Sequence, residues 1–234
     1  ILQHCLLRES GNMSPLLFQY FKRELEEIYR LMAEALSWQG KADLSFSYPP
    51  LDLWEKNFLP SLMLLYSRYS GYKGEKELVL AAALQMIFIA SLIHFLPPDP
   101  LPEEILGGDY WYTRFLSLLC RKDLDDFLLP CSLLVCQIHM EAVGEDGLVT
   151  PLRRTKEILC VGAVSLGAQL GGKNQGKLQA WETLARFLGR LWQGERVKPE
   201  AQKALEEVDW PPARYLLGEV IEELGRGERD AGYS

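Results

Sequence analysis

The apolar positions of this chain recur mainly in steps of three and four, the spacing that places side chains on one face of an α-helix. A first run of this kind follows Ser14-Pro15, which suit the N-cap and the first position of a helix, and it extends to about Gly40. Its apolar face consists of Leu17, Phe21, Leu25, Ile28, Met32 and Ala35. The pattern predicts one amphipathic helix near the start of the chain.

A second run, residues 78–94, is apolar on every face and is interrupted only by Gln85, Ser91 and His94. Pro97-Pro98 ends it. A membrane span would have a similar length, but these polar side chains favour the central helix of a bundle, which other helices surround. We therefore expect a buried core helix and no transmembrane segment.

Turn and proline signals divide the rest of the chain into further helices. We expect one helix at about 51–69, with a kink at Pro60, and one from a cap at Asp109 to a polar break at 123–126. Another follows that break and ends near Val143. The last three are expected at about 155–170, 178–193 and 199–224, the final one with a break at Pro211-Pro212. Residues 1–13 and 225–234 are expected to be flexible. Because no segment alternates as a strand does, the sequence predicts an all-α orthogonal bundle of eight to ten helices in a single domain, 1–234.

Composition narrows the class of protein. The 234 residues are 48% apolar, enough for a sizeable core, and the net charge of -7 comes without a basic stripe that would indicate a nucleic-acid partner. The five cysteines include no Cys-x-x-Cys pair, so we expect reduced, buried thiols. The N-terminus lacks the basic and apolar regions of a signal peptide. A cytoplasmic protein is the expectation.

Five segments occur in an order and at a spacing that resemble the trans-prenyl diphosphate synthases. Residues 74–94, GEKELVLAAALQMIFIASLIH, are similar to the central helix of that family and end in its Ser-Leu-Ile-His. The other matches are Lys56–Pro60 for a Gly-Lys-x-x-Arg-Pro segment, Gly108-Asp109-Tyr110 with Arg114 for a helix start, Ser165–Ala168 for a Leu-Gly-Ala helix, and 188–193 for the run before an aspartate motif. The resemblance implies an isoprenoid-synthase-like fold over most of residues 56–193.

In that family two Asp-Asp-x-x-Asp motifs hold Mg²⁺, which neutralises the allylic diphosphate as it leaves. At the position of the first motif the chain has Phe95-Leu96-Pro97-Pro98-Asp99, so only Asp99 is kept. At the second it has Gly194-Glu195-Arg196-Val197. An arginine cannot bind magnesium there, although it can bind a phosphate. The resemblance therefore implies that the metal sites are lost and that no cofactor is bound.

The diphosphate pocket of the family is altered as well. Lys56 matches the family's lysine, but Leu59 and Phe88 stand in place of an arginine and a histidine. Residues 95–107 contain no arginine for the family's arginine pair, and Thr155-Lys156 only approximates its Lys-Thr pair. The positions that still compare with the metal and diphosphate site are Lys56, His94, Asp99, Asp109, Lys156 and Gln193.

Other polar features have ordinary structural explanations. Asp123, Asp125 and Asp126 suit an acidic turn that caps the next helix better than they suit a metal site, and Glu145-Asp146 suits a solvated loop. His94 and His139 each stand alone among apolar neighbours in the sequence, so we expect a core or surface histidine at both positions.

These losses favour a non-catalytic subunit of a heteromeric polyprenyl diphosphate synthase. The resemblance implies that such a subunit completes a dimer with a catalytic subunit and shapes the product tunnel; a homodimer is the alternative assembly. The helix from Asp109 would lie in the interface through Trp111, Tyr112, Phe115 and Leu119. Two other hypotheses stay open: a degenerate synthase that binds an isoprenoid or another apolar ligand, and an active prenyltransferase with Asp99, Asp109, Glu141 and Glu195 as metal ligands.

Overall fold

The computed structural model describes residues 14–37, 49–95, 102–142, 154–172 and 175–227. These residues form ten α-helices and no strand, which confirms the predicted all-α class. The helices are α1 Leu16–Tyr20, α2 Lys22–Leu36, α3 Leu53–Tyr69, α4 Lys76–Phe95, α5 Pro102–Arg121, α6 Leu128–Ala142, α7 Thr155–Gly171, α8 Gln175–Trp192, α9 Lys198–Glu206 and α10 Pro211–Gly227, with a 3₁₀ turn at Asp125–Phe127 before α6.

The central helix is α4, as its composition predicts, because 17 of its 20 residues are buried. Helices α2, α3, α5 and α7 all pack against it. Two polar side chains within it bond to backbone oxygens: Gln85 Nε2 donates to Glu55 at 2.8 Å and Ser91 Oγ donates to Ile87 at 2.8 Å. By length and composition α4 is the one described helix that could cross a membrane, but 89% of its apolar window is buried in the bundle.

The N-terminal run forms two helices, not the single helix predicted. Phe21 separates α1 from α2 with φ −105° and ψ 18°, and its fully buried ring lies 4.8 Å from the Arg68 guanidinium. The residue that caps α1 is Pro15, without a side-chain hydrogen bond, so the N-cap role expected of Ser14 is wrong. Helix α2 ends at Leu36, and the predicted end near Gly40 lies outside the described residues.

Helix α5 begins at Pro102 and passes through Asp109, so the prediction of a helix cap at Asp109 is also wrong. The reason is a close contact between helices. A Cβ atom on Gly108 would lie 2.4 Å from Nε2 of His94, so only glycine lets α5 approach α4 this closely. The glycine that seemed to mark a boundary is instead a packing residue inside the helix.

Helices α3 and α8 to α10 agree more closely with their sequence signals. Helix α3 continues through Pro60, and Asp52 caps it by accepting a 2.7 Å hydrogen bond from the backbone of Glu55. Helix α8 crosses α7 at Gly189, where a Cβ would lie 2.4 Å from the Cα of Glu157. Proline separates α9 from α10 as predicted, but α10 continues to Gly227, so residues 225–227 are helical.

The expectation of buried thiols holds for only part of the cysteine set. Cys131 and Cys160 are buried, whereas Cys120 and Cys136 are free and exposed. Burial raises the pKa of the Cys131 thiol to about 12, so this side chain behaves as a small apolar group. Cys5 lies outside the described residues.

Candidate functional site

The start of α3, the start of α7 and the end of α8 meet at one end of the bundle. Nζ of Lys156 lies 3.4 Å from Oε1 of Glu55 and 4.5 Å from the ring centroid of Trp192. Lys56 follows Glu55 in the chain, and Gln193 follows Trp192. The structure thus brings three of the predicted site positions, Lys56, Lys156 and Gln193, to one region.

Aromatic rings fill the space beside this region. They form a continuous series of ring contacts that we call the aromatic chain, with centroid separations of 5.1 to 5.7 Å: Phe18 with Trp54, Trp54 with Phe58, Phe58 with Trp192, and Phe88 with Trp192. Phe58 and Phe88 are fully buried and Trp192 is 7% exposed. Most of these contacts are edge-on, the arrangement that aromatic quadrupoles favour. The rings make this part of the bundle a packed apolar core.

The position of the second aspartate motif follows the same region. Gly194 turns the chain with φ 89°, Arg196 is exposed, and Val197 is buried and precedes α9. Glu195 accepts a 2.9 Å hydrogen bond from Nε of Arg190. None of these side chains offers a carboxylate that faces a second carboxylate.

The described carboxylates proposed as atypical metal ligands lie apart from one another, Asp109 beside His94 and the other two in ion pairs with arginines. Asp109 Oδ1 is 3.3 Å from Nε2 of His94, Glu141 Oε2 is 3.3 Å from Nη1 of Arg154, and Glu195 pairs with Arg190. Among the described residues no group of three His, Cys, Asp or Glu side chains could hold a metal ion. Asp99, Glu145 and Asp146 lie outside the described part of the chain. The donor set that is described therefore does not fit magnesium, which prefers several hard oxygen ligands together.

A turn is present at the acidic residues before α6, but the cap of the 3₁₀ turn is Leu124, without a side-chain hydrogen bond, so the predicted capping by these aspartates is not seen there. Asp123 has φ 53°, a left-handed conformation that aspartate tolerates, and Asp125 opens the 3₁₀ turn that leads into α6. Asp125 and Asp126 are exposed.

The two histidines are not isolated, contrary to the expectation from their neighbours in sequence. The His94 and His139 ring centroids are 5.7 Å apart, and the ring of Tyr112 stacks on His94 at 5.4 Å. Tyr112 Oη lies 3.0 Å from Nε2 of His139 and 3.1 Å from Oγ of Ser91. Helices α4, α5 and α6 therefore share one polar cluster at the end of the central helix.

The proton positions in this cluster follow from its donors. Because Ser91 Oγ donates to the backbone oxygen of Ile87 at 2.8 Å, it accepts at its contact with Tyr112. Tyr112 then donates its single hydroxyl proton to Ser91 and accepts a hydrogen bond from Nε2 of His139. The His139 ring therefore carries its proton on Nε2. The Nε2 atom of His94 lies near Asp109 but is not aligned for a hydrogen bond with it.

Burial sets the protonation of the same cluster. It lowers the pKa of His94, against the opposing effect of Asp109, and it lowers the pKa of His139, which the neighbouring His94 lowers further. Burial also raises the pKa of Tyr112 to about 12. Two nearby imidazoles in a partly dry site thus favour their neutral forms.

The four side chains expected in an interface lie mainly inside their own bundle. Trp111 is 3% exposed, Phe115 2% and Leu119 0%, while Tyr112 is half-buried and bonded as described above. They are covered because α4 presents an apolar surface on every side and α5 packs along it. Trp111, Phe115 and Leu119 therefore leave little surface for a partner, and a subunit interface at this helix stays a prediction.

Sequence inspection missed two parts of this site. The aromatic chain joins residues that are far apart in the sequence. Of these residues, the motif comparison identifies Phe88 alone, as the replacement of a histidine. Glu55 had a usable signal, since Asp52-x-x-Glu55 is the capping-box pattern that fixes the first turn of α3 next to Lys156.

Searches with other proteins support the fold. Neither a protein-family model nor a curated protein sequence matches the chain. Among solved structures the chain is similar to a decaprenyl diphosphate synthase from Rhodobacter capsulatus, with a TM-score of 0.73 and 16% identity over 91% of this chain and 98% of that one. The chain has the all-α fold of the isoprenyl diphosphate synthases.

Two further structures agree. A geranylgeranyl pyrophosphate synthetase from the archaeon Geoglobus acetivorans gives a TM-score of 0.62 at 15% identity and covers 91% of this chain and 99% of that one. A polyprenyl synthase from Caulobacter crescentus CB15, complexed with calcium and isoprenyl diphosphate, gives 0.59 at 13% identity and covers 94% and 90%.

Proposed function

We propose that this chain is a non-catalytic subunit of a heteromeric polyprenyl diphosphate synthase and that it works in the cytoplasm. The observation that carries the proposal is the aromatic chain. Phe58, Phe88 and Trp192 pack into a dry core beside Lys156, where the resemblance to prenyl synthases places diphosphate chemistry. A diphosphate would have to displace these rings and lose its hydration without finding metal ions.

The charged groups of the region support the same proposal. Lys156 is paired with Glu55 and lies on the face of Trp192, and Arg190 is bonded to Glu195. Cations engaged in this way neutralise carboxylates of their own chain and contribute to its stability. Their role is structural, which is what a scaffold without catalytic duty requires.

Such a subunit would complete a dimer with a catalytic synthase subunit and shape the tunnel in which the product elongates. Core packing does not depend on the polar residues of an active site, so the fold persists after those residues change. The proposed partner carries two intact aspartate motifs and supplies the magnesium-dependent chemistry.

The test is reconstitution with the aspartate-rich synthase of the same cell. We expect the mixture to condense allylic and isopentenyl diphosphates faster, or to longer products, than the synthase alone. In this chain Asp109→Asn and Glu195→Gln should leave that turnover unchanged within roughly twofold, whereas removal of one aspartate motif from the partner should abolish it. If the synthase neither binds this chain nor changes its products, the proposal fails.

A further inference from the structure

Three charged side chains meet where α2, the end of α3 and the start of α4 come together. Arg68 on α3 pairs with Glu24 on α2, and its Nε lies 4.0 Å from Oε1 of Glu77 on α4. Glu77 is 5% exposed, and its second oxygen, Oε2, has no hydrogen-bond partner among the described residues. Two carboxylates therefore share one guanidinium, and the more deeply buried carboxylate has the longer contact with it.

This geometry suits a protonated Glu77. A buried carboxylate without a hydrogen-bond partner loses its hydration and gains little in return, so burial favours the neutral acid. Burial raises the pKa of Glu77 to about 7, while Arg68 opposes the rise and the negative charge of Glu24 adds to it. With Glu77 neutral, Arg68 pairs mainly with Glu24, which is the arrangement in the structure.

The other charged groups around the start of α4 are engaged elsewhere. Lys76 is exposed and donates to the backbone oxygen of Asp123, in the turn after α5, at 3.4 Å. Lys122 in the same turn lies close enough to Glu27 on α2 to interact with its charge. Helix α7 carries no charged residue after Glu157. The protonation of Glu77 thus depends mainly on its burial, on Arg68 and on Glu24.

Arg68 also holds the junction of α1 and α2 in place. Its guanidinium lies 4.8 Å from the ring centroid of Phe21, which is fully buried at the break between the two helices, and 6.0 Å from that of Tyr20. Helix α1 packs Phe18 against Trp54, the first contact of the aromatic chain. Movement of Arg68 would therefore loosen α1 and the first turns of α2, and with them the cover of that end of the aromatic chain.

We propose that Glu77 is a proton-operated switch: loss of its proton to solvent draws Arg68 from Glu24 to Glu77 and loosens the α1–α2 junction, residues 16–28. The ionised Glu77 side chain, 7% exposed, needs the guanidinium more than Glu24 does, because Glu24 is 25% exposed and keeps contact with water. Since the folded-state pKa of Glu77 lies above 4.5, the junction is held at acidic pH and loosened as the pH rises. The inference goes beyond the proposed function and does not rest on it.

The first experiment measures amide hydrogen exchange of the purified chain and of Glu77→Gln, which fixes a neutral side chain. Their rate ratio at one pH cancels the chemical dependence of exchange on pH. In residues 16–28 we expect the ratio of wild type to Glu77→Gln to be roughly tenfold or more higher at pH 8 than at pH 5. The exposed Glu26→Gln on α2 is the control and should follow wild type at both pH values.

The last turn of α2 is an internal control for the same measurement. Tyr110 Oη on α5 donates to the backbone oxygen of Leu36 at 2.6 Å, so this end of α2 stays attached when the junction loosens. A rate ratio in residues 16–28 that does not change with pH overturns the inference. An equal change at the end of α2 and throughout α4 also overturns it, because Glu77 would then act on the whole fold and not on the junction.

A second experiment tests the competition for Arg68. Glu24→Gln leaves Arg68 to Glu77, so the Glu77 carboxyl, followed by ¹³C NMR, should titrate at least about one pH unit lower than in wild type. Its signal is the one missing from Glu77→Gln, and Glu26→Gln should leave its titration unchanged. A Glu77 carboxyl that titrates near 4.5 in wild type, or that Glu24→Gln does not affect, contradicts the switch. Neither experiment uses a partner or a substrate, so failure of the proposed function is scored separately.

Discussion

The aromatic chain and the outer face of α6, where Leu129, Leu133 and Met140 are exposed, differ in their contact with water. The first lies in the interior beside Lys156, where Phe58, Phe88 and Trp192 are buried apolar rings. The second lies on the outside of the bundle, where charged residues are usual, yet it exposes Leu129, Leu133 and Met140. The interior region is packed with rings, whereas the outer face of α6 leaves large apolar side chains in contact with water.

Helix α2 shows what an ordinary outer face of this bundle looks like. It has the same 15-residue length as α6, but its exposed side carries Arg30 paired with Glu27 and Glu34. The same chain therefore exposes charged side chains on α2 and mostly apolar side chains on α6.

The largest expected effect compares one residue from each region. Phe88→Ala should lower the free energy of unfolding by about 3–5 kcal/mol, because a fully buried ring leaves a cavity behind. Leu133→Ala should change it by less than about 0.5 kcal/mol in the monomer, because its side chain is 59% exposed. Urea unfolding at low protein concentration measures both. Equal costs would mean that the two regions do not differ as described.

A buried carboxylate tests how dry the interior is. Burial raises the pKa of Glu77 to about 7, and Oε2 of this residue has no hydrogen-bond partner among the described residues. Because the folded-state pKa exceeds the unfolded value of 4.5, stability falls as pH rises from there to about 7. The free energy of unfolding of Glu77→Gln should therefore exceed that of wild type by on the order of 2 kcal/mol at pH 8 and by little at pH 4.5.

The exposed Glu26→Gln on α2 is the control for this measurement, since a surface substitution should change the free energy of unfolding little at either pH. A constant difference between Glu77→Gln and wild type across the pH range would show that water reaches Glu77.

A smaller effect is expected at the cation beside the aromatic chain. Lys156→Met removes the contact with Trp192 and the ion pair with Glu55. Because the Lys156 side chain is only 19% exposed, the substitution should lower the free energy of unfolding by about 1 kcal/mol. Lys177→Met is the matched control, because its pair with Asp209 is largely exposed and worth only a few tenths of a kcal/mol. If urea unfolding shows that Lys177→Met loses more stability than Lys156→Met, the contacts of Lys156 do not stabilise the fold as described.

The smallest effect concerns the attachment of α6. The pKa values of His94 and His139 are lowered in the folded chain, so the stability they contribute is present above about pH 6.5 and is lost as the pH falls below it. We expect His139→Gln, whose amide can still donate to Tyr112, to reduce the loss of stability between pH 7 and 5. The comparison is made in the Glu77→Gln background, because protonation of Glu77 acts in the opposite direction. An unchanged pH dependence would contradict the lowered pKa of His139.

Local signals in the sequence were sufficient for most helices. The apolar run of α4, the proline break before α10 and the turn at Asp123 all depend on residues close in the chain. The start of α5 could not be predicted in this way, since Gly108 serves a contact with His94 on another helix. The break at Phe21 was equally hidden, because the helical spacing of buried residues continues through it.

The site depended even more on contacts between distant residues. His94 and His139 stand alone in the sequence but meet in space, and Trp111 and Phe115 looked available for a partner until α4 was seen to cover them. The exposed apolar residues of α6, Leu129, Leu133 and Met140, are the opposite case. They look like ordinary core in the sequence, and only the packing of the bundle shows that nothing described covers them.

The most direct test of the central claim is turnover by the purified chain alone, supplied with an allylic diphosphate, isopentenyl diphosphate and Mg²⁺. We predict no release of pyrophosphate above that of a protein-free control, because the aromatic chain closes the interior and the described carboxylates do not converge on a metal ion. Steady release that requires both substrates and magnesium, and that falls when Asp109→Asn or Glu195→Gln is introduced, would contradict the account and identify the chain as an active synthase.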